Sequence, residues 1–290
     1  MIALALCRFA HFVAAMLAFG MSGYLWAFAP DRLRLALQPF ARRLTLIASL
    51  VALVTAIGWL LLQSASFAGD LSGAIDPQTI GAVIADTAFG HAWAAHLVLA
   101  AGLVAFIVLA PQTRWGWTAV LSGALLASLG LTGHAAMQSG AEGVLHRANH
   151  ALHLLTTGAW IGGLVPFILC LRAYERDDLR KDAVRAMAGF SFWGQFIVAA
   201  IALTGVVNIA LTSHRVPLPP TTPYRALLMA KLLVVATMIL LALFNRFVLA
   251  PRLKASANAL PALRMTSAAE AALGCIVVAL VSVFALFDPA

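Results

Sequence analysis

The stretch HALHLLTTGAWIGGLVPFILCL at residues 150–171 decides the fold class, because it contains no Asp, Glu, Lys or Arg. A helix crosses the bilayer core, which is about 30 Å thick, with roughly 20 apolar residues. Backbone N–H and C=O groups find no water in lipid, so a run of this kind has to be helical. The stretch therefore predicts a transmembrane helix.

Seven other segments are also long and predominantly apolar, and together they predict an all-α integral membrane protein. The eight predicted spans are 2–29, 44–63, 89–110, 115–135, 148–171, 190–213, 225–249 and 268–287. No remaining segment is long enough for a second, soluble domain. We therefore expect a single membrane domain over residues 1–290, surrounded by a lipid bilayer.

The composition excludes several classes of protein. Of the 290 residues, 62% are hydrophobic and 10% are charged, with a mean hydropathy of +0.94. Soluble domains have roughly 25% charged residues, so neither a soluble nor a disordered chain fits. The net charge of +8 then indicates membrane topology, and no nucleic-acid partner is predicted. No phosphate loop, nucleophile elbow or HExxH motif is present, so a binding or transport protein is expected rather than an enzyme.

The lysines and arginines predict the orientation. Fourteen of the 19 lie in, or at the edge of, the connections that follow spans 1, 3, 5 and 7. Connections rich in Lys and Arg stay in the cytoplasm. Both termini are therefore predicted outside, which is the periplasm if the membrane is a bacterial inner membrane.

The two halves of the chain resemble each other. HFVAAMLAFG begins at residue 11 and HLLTTGAWIG at residue 153, and both end in glycine. The matched positions are His11 with His153, Gly20 with Gly162, Thr55 with Thr204, and His96 with Lys231. Four spans return the chain to its starting side, so we predict two parallel four-helix repeats, 1–140 and 141–290.

All eight histidines are predicted in or above the outer half of the membrane. Histidine is the commonest metal ligand, and ionisable groups inside a membrane usually face the bundle interior. Our first candidates for metal ligands are His11, His134, His150 and His153, followed by His91, His96, His146 and Met137.

Helical spacing groups some of these candidates. His146, His150 and His153 share one helix face, provided that the helix extends up to residue 146. His91 and His96 are five residues apart and are not expected to share an ion. The column of His146, His150 and His153 is consistent either with a set of metal ligands or with a solvated helix face. A single histidine near the membrane interface more often makes a structural hydrogen bond than binds a metal. The whole set indicates either a metal ion or haem b, with His11 and His153 as the pair that would clamp haem iron.

Three other polar features lead to separate expectations. Lys231 could snorkel outward, exclude a second cation or pair with a carboxylate, whereas Glu270 is expected to pair with Arg264 or Arg246. The connection 172–189 is predicted to form a short surface helix. The outer connection 64–88 is acidic and is either a solvated loop or a docking surface.

The chain resembles the CopD (PcoD) family of copper-resistance inner-membrane proteins. The resemblance covers essentially the whole chain, and the order and spacing of its motifs carry more weight than any one of them. The motifs are RFAHFVAAMLAFG at 8–20, LTGHA at 131–135, HALHLLTTGAWIGGL at 150–164, LTGVVN at 203–208 and TPYRALLMAKLLVV at 222–235.

This resemblance implies a role in copper homeostasis, with copper ion handled on the periplasmic side and imported across the inner membrane. It also implies a separate partner, the periplasmic copper-binding protein CopC. Three functions remain open from the residues themselves: a copper transporter, a haem b electron-transfer protein, and an accessory protein that binds copper without transporting it.

Overall fold

Helices joined by short turns make up almost all of the residues that the computed structural model of the protein describes. These are 2–111, 114–133, 140–213, 222–256, 258–284 and 287, without the side chain of Lys254. The helices are α1 Ile2–Ala27, α2 Asp31–Ala68, α3 Pro77–Asp86, α4 Ala88–Leu109, α5 Trp115–Ser128, α6 Gly140–Ala173, α7 Arg180–Ser213, α8 Pro223–Phe244 and α9 Ala259–Phe284. The prediction of an all-α membrane protein is confirmed.

Within this described part, seven helices are long and apolar enough to cross a membrane: α1, α2, α4, α6, α7, α8 and α9. The predicted span 115–135 is represented by α5 and a 3-10 turn at Leu129–Leu131, and it is shorter than the others. The 3-10 turn lies directly on α6. A β-carbon on Gly130 would come within 3.0 Å of the backbone nitrogen of Ala151.

The prediction of a separate surface helix within 172–189 is wrong. A short turn follows α6, and α7 then runs without a break from Arg180 to Ser213. The first turns of α7 carry Ala183 and Ala186, both fully buried against the core. This buried face explains why the segment continues the membrane helix.

The acidic connection between α2 and α4 is folded into short helical pieces. Gly69, with φ of 84°, ends α2 in the left-handed conformation that glycine adopts without strain. Asp70 accepts a hydrogen bond from the backbone of Ser72, and Asp76 caps α3. Hydrogen bonds from Thr79 lower the pKa of the Asp76 carboxyl. Two of the acidic residues therefore serve as helix caps.

The helices α1 and α6 form the centre of the bundle and pack against each other. Their contact is between backbones, because a β-carbon on Gly20 would lie 2.3 Å from the carbonyl carbon of Gly162. Small residues permit this close approach of membrane helices. Around the centre, α1 also packs against α2 and α5, and α6 packs against α7 and α9.

Candidate metal centre

Two histidines meet inside the first half of the bundle. His11 on α1 and His96 on α4 are 0% and 1% exposed, and their Nε2 atoms are 3.0 Å apart. They lie 85 residues apart in the chain, so only the packing of α1 and α4 around α2 brings them together. Two imidazole nitrogens that face each other in a buried space form the core of a candidate metal site.

The other ring nitrogen of each histidine is held by a neighbouring helix. Nδ1 of His11 lies 3.0 Å from the carbonyl oxygen of Ala52 and 3.0 Å from the hydroxyl of Thr55, both on α2. Nδ1 of His96 lies 2.8 Å from the hydroxyl of Ser128, at the end of α5. Contacts of this kind orient histidine ligands and set their tautomers in metal sites.

These partners determine where the protons are. The carbonyl of Ala52 can only accept, so the proton of neutral His11 is on Nδ1 and its Nε2 presents a lone pair. His96 then donates from Nε2 to His11 and accepts on Nδ1 from the Ser128 hydroxyl. The Ser128 hydroxyl has a second acceptor at 2.7 Å, the carbonyl oxygen of Leu125. It can therefore release His96 without losing a hydrogen bond.

Aromatic rings close the site. Trp93 stacks on His96 with ring centroids 4.6 Å apart, and Trp59 meets the edge of His11 at 5.9 Å. The indole N–H of Trp93 donates to the carbonyl of Ala56, so its polar atom is directed away from the histidines. The pair consequently lies in a buried, weakly screened environment, in which an added cation interacts strongly with its ligands.

The second half of the bundle contains a related arrangement on α6 and α7. Nδ1 of His153 lies 2.9 Å from the hydroxyl of Thr204, as Nδ1 of His11 does from Thr55. Next to it, Asn149 donates to the carbonyl of Thr204 and to the side chain of Asn208. The Nδ1 atom of His150 is 3.5 Å from the Asn208 amide.

Lys231 on α8 is the residue that the comparison of the two sequence halves matches with His96. The Lys231 ammonium lies 5.8 Å from the ring centroid of Phe284, and its charge acts on His153. Among the described residues it forms no ion pair with a carboxylate. An ammonium disfavours a second cation nearby, so exclusion of a second cation stays a prediction for Lys231, beside snorkelling outward.

The remaining candidate ligands are not part of the His11–His96 pair. The helix α6 begins at Gly140, so His146, His150 and His153 lie on one continuous helix as the column required. His91 bonds through Nε2 to the carbonyl of Ala85, 2.7 Å away. His134 and Met137 lie outside the described residues. Across the described ranges, no three His, Cys, Asp or Glu side chains are close enough to hold one ion.

The sequence pointed to both members of the pair but not to their contact, and it missed Ser128. Their depths in the membrane could have suggested the contact, because the sequence predicts both His11 and His96 in the outer half of the membrane. Nothing in the sequence marks Ser128, since buried serines usually bond to the preceding turn of their own helix. Ser128 also makes that bond, to Leu125.

The predicted ion pair of Glu270 with Arg264 or Arg246 is wrong. Glu270 is 3% exposed and accepts hydrogen bonds from the indole of Trp160, at 2.8 Å, and the amide of Asn245, at 3.2 Å. Arg264 instead pairs with Glu175 at 2.7 Å, in the turn after α6. Arginine reaches the solvated end of the bundle, whereas Glu270 stays within it.

Comparisons with known proteins give a consistent result. Residues 1–144 match a family model described as copper resistance protein D-like, N-terminal domain, and residues 184–284 match the model of copper resistance protein D. The chain is 31% identical to inner membrane protein YebZ of Escherichia coli (strain K12) over 285 residues, 97% of each protein. It is 33% identical to copper resistance protein D of Pseudomonas syringae pv. tomato over 252 residues, 84% of this chain and 81% of that protein. No solved structure gives a significant match.

Proposed function

Because the chain belongs to the copper resistance protein D family, we propose that it binds copper between His11 and His96 and carries it across the inner membrane. The chain is a multi-pass inner-membrane protein. Copper is its cargo, so we treat it as a binding and transport protein rather than an enzyme. The observation that carries this proposal is the pair of Nε2 atoms 3.0 Å apart in a buried space.

The chemistry of the pair suits copper. Imidazole binds copper in either oxidation state, and a buried site without carboxylates favours a soft, singly charged ion over hard divalent ions. Before binding, the Nε2–H group of His96 donates a hydrogen bond to Nε2 of His11. On binding, the His96 proton moves to Nδ1 and the Ser128 hydroxyl turns to Leu125. Both Nε2 lone pairs are then available to the ion, and every other polar atom keeps a partner.

We extend the proposal to the topology. In this proposal α5 and its 3-10 turn form a short fourth span beside the seven long helices, both termini are periplasmic, and the arginine-rich connections are cytoplasmic. His11 then lies about 14 Å along α1 from Ile2, at a rise of 1.5 Å per residue. Copper therefore enters from the periplasmic side and reaches the pair before the middle of the membrane.

We also propose that residues 1–140 and 141–290 are parallel repeats. The equivalent bonds of His11 to Thr55 and of His153 to Thr204 support this, and so does the crossing of α1 and α6. In this arrangement the first repeat binds the cargo. The second repeat, with Lys231 in place of His96, does not.

The alternatives are less consistent with these contacts. A haem clamp needs one free nitrogen on each of two facing histidines, but Nε2 of His11 is directed at His96. A partner resembling CopC remains part of the proposal. Its expected docking surface is the acidic connection between α2 and α4, above the metal centre.

Copper content and copper uptake test the function. We expect the purified protein to bind about one copper ion per chain, to show no haem Soret band, and to take copper into proteoliposomes, because one His pair is available per chain. Metal analysis, absorption spectra and uptake of radioactive copper measure these three quantities. Copper binding without uptake would contradict transport and support an accessory protein. A Soret band would contradict the copper site and support a haem b protein.

Ser128→Ala tests the hydrogen-bond exchange at His96. Removing an outer-shell partner typically weakens metal binding about 10- to 100-fold, and we expect a loss in that range. The matched control is Ser122→Ala on the same helix, whose hydroxyl bonds to the carbonyl of Thr118 and is not part of the pair. Competition with a chelator of known affinity measures both variants. Equal affinity of Ser128→Ala and wild type would contradict the exchange.

A further inference from the structure

A small cavity lies at the opposite end of the same helices, between α2, α4 and the start of α5. It measures about 20 Å³, and its wall includes Arg42, Thr45, Arg114 and Trp115. Arg42 is 13 residues from Thr55 along α2, or about 20 Å at 1.5 Å per residue. The cavity is therefore separate from the metal centre, at the level where the chain leaves the membrane core.

Two polar atoms in this wall have no partner. The hydroxyl of Thr45 and the indole N–H of Trp115 are both buried, on residues 1% and 5% exposed, and neither forms a hydrogen bond. Buried polar groups in proteins are almost always bonded, so two unpaired atoms in one cavity indicate a missing ligand atom. Trp115 can only donate, and that ligand atom is therefore an acceptor.

The charge around the cavity is positive. The guanidinium of Arg42 is anchored by one N–H on the carbonyl of Ile107, at 2.9 Å, and no other hydrogen bond from it is found within the described ranges. Arg114 is exposed at the rim and precedes the first turn of α5, where the helix dipole is positive. Neither arginine pairs with a carboxylate in the part of the chain that the structure describes.

We propose that this cavity binds a phosphate oxyanion, with one oxygen between Thr45 and Trp115 and the others at Arg42 and Arg114. The enclosed volume admits one oxygen atom, so the rest of the ligand extends past Arg114 to the surface. Basic pockets between membrane helices on the cytoplasmic side, where the proposed topology puts this cavity, bind lipid headgroups. A phospholipid phosphate therefore fits the site, and free phosphate shares the same chemistry. The proposal does not depend on copper binding.

Lipid titration of the full-length protein in detergent tests this site. Delipidated wild type is titrated with phosphatidylglycerol, with cardiolipin and with inorganic phosphate, and bound ligand is counted by native mass spectrometry. Trp115→Phe removes only the N–H donor, and Thr45→Val removes only the hydroxyl. We expect each to weaken ligand binding roughly tenfold or more, because each loses a hydrogen bond to a charged group.

The controls separate this site from general charge effects. Arg43→Gln neutralises an exposed neighbour that does not line the cavity, and it should bind ligand as wild type does. The thermal unfolding midpoint in detergent should stay close to that of wild type in Trp115→Phe and Thr45→Val, which shows that both variants fold. Binding of inorganic phosphate alone, lost in the two variants, would support the oxyanion and exclude a lipid source. Equal binding by wild type and both variants would overturn the proposal and leave water as the occupant.

Discussion

Replacing His96 with alanine is expected to lower copper affinity by more than about 100-fold, because loss of even an outer-shell partner costs 10- to 100-fold. The pair supplies two nitrogen ligands, 3.0 Å apart, and the variant removes one of them. It also removes the hydrogen bond to Nε2 of His11, whose Nδ1 keeps its two partners on α2. Metal content after purification and chelator competition measure the loss, and copper uptake should fall with it.

Two further variants define the pair. His91→Ala removes a histidine from the same helix that, among the described residues, bonds to the backbone of Ala85 and not to the pair, and it should keep wild-type affinity. The double variant His11→Ala/His96→Ala should bind no more weakly than either single variant, because the two side chains act as one unit. Full copper occupancy in that double variant would contradict the site. Loss of copper in His150→Ala alone would assign the copper site to the second repeat instead.

Replacing Gly162 with alanine is expected to destabilise the protein by about 3 kcal/mol or more, at the upper end of the cost of overpacking a core. A β-carbon there would lie 2.0 Å from the carbonyl oxygen of Met16, and no side chain can move aside to accept it. The central helices α1 and α6 would have to separate. The thermal unfolding midpoint in detergent and the amount of protein inserted in the membrane measure the effect.

A matched glycine gives the control. Gly23 is one turn from Gly20 on α1, and a β-carbon on it would meet nothing within 4 Å. Gly23→Ala should therefore keep or slightly raise the unfolding midpoint, because alanine is the better helix former. Equal midpoints for Gly162→Ala and Gly23→Ala would show that the backbone contact does not hold the bundle together. Copper affinity should be lost in Gly162→Ala together with stability.

Particular residues show how far sequence reasoning reached the site. His11 and His96 were both candidates, because depth can be counted along one helix at a time. Their contact was not predicted, since it depends on which way α4 faces α1 across 85 residues of chain. Glu270 shows the opposite error, because an arginine close in sequence was given preference over Trp160, 110 residues away. The positions of side chains around one helix can be predicted from its period, whereas contacts between helices depend on how the helices pack.

The sequence by itself determined the membrane class, the positions of the long spans and the resemblance to the copper resistance proteins. These depend on hydropathy, charge and local motifs, which act within a single segment and can be read along the chain. Only the tertiary structure decided that His11 meets His96 rather than His153, and that Thr45 and Trp115 share a cavity. Those contacts depend on how close α1, α2, α4 and α5 approach one another. Small residues and side-chain shape set that distance in lipid, where apolar burial favours no particular pairing of helices.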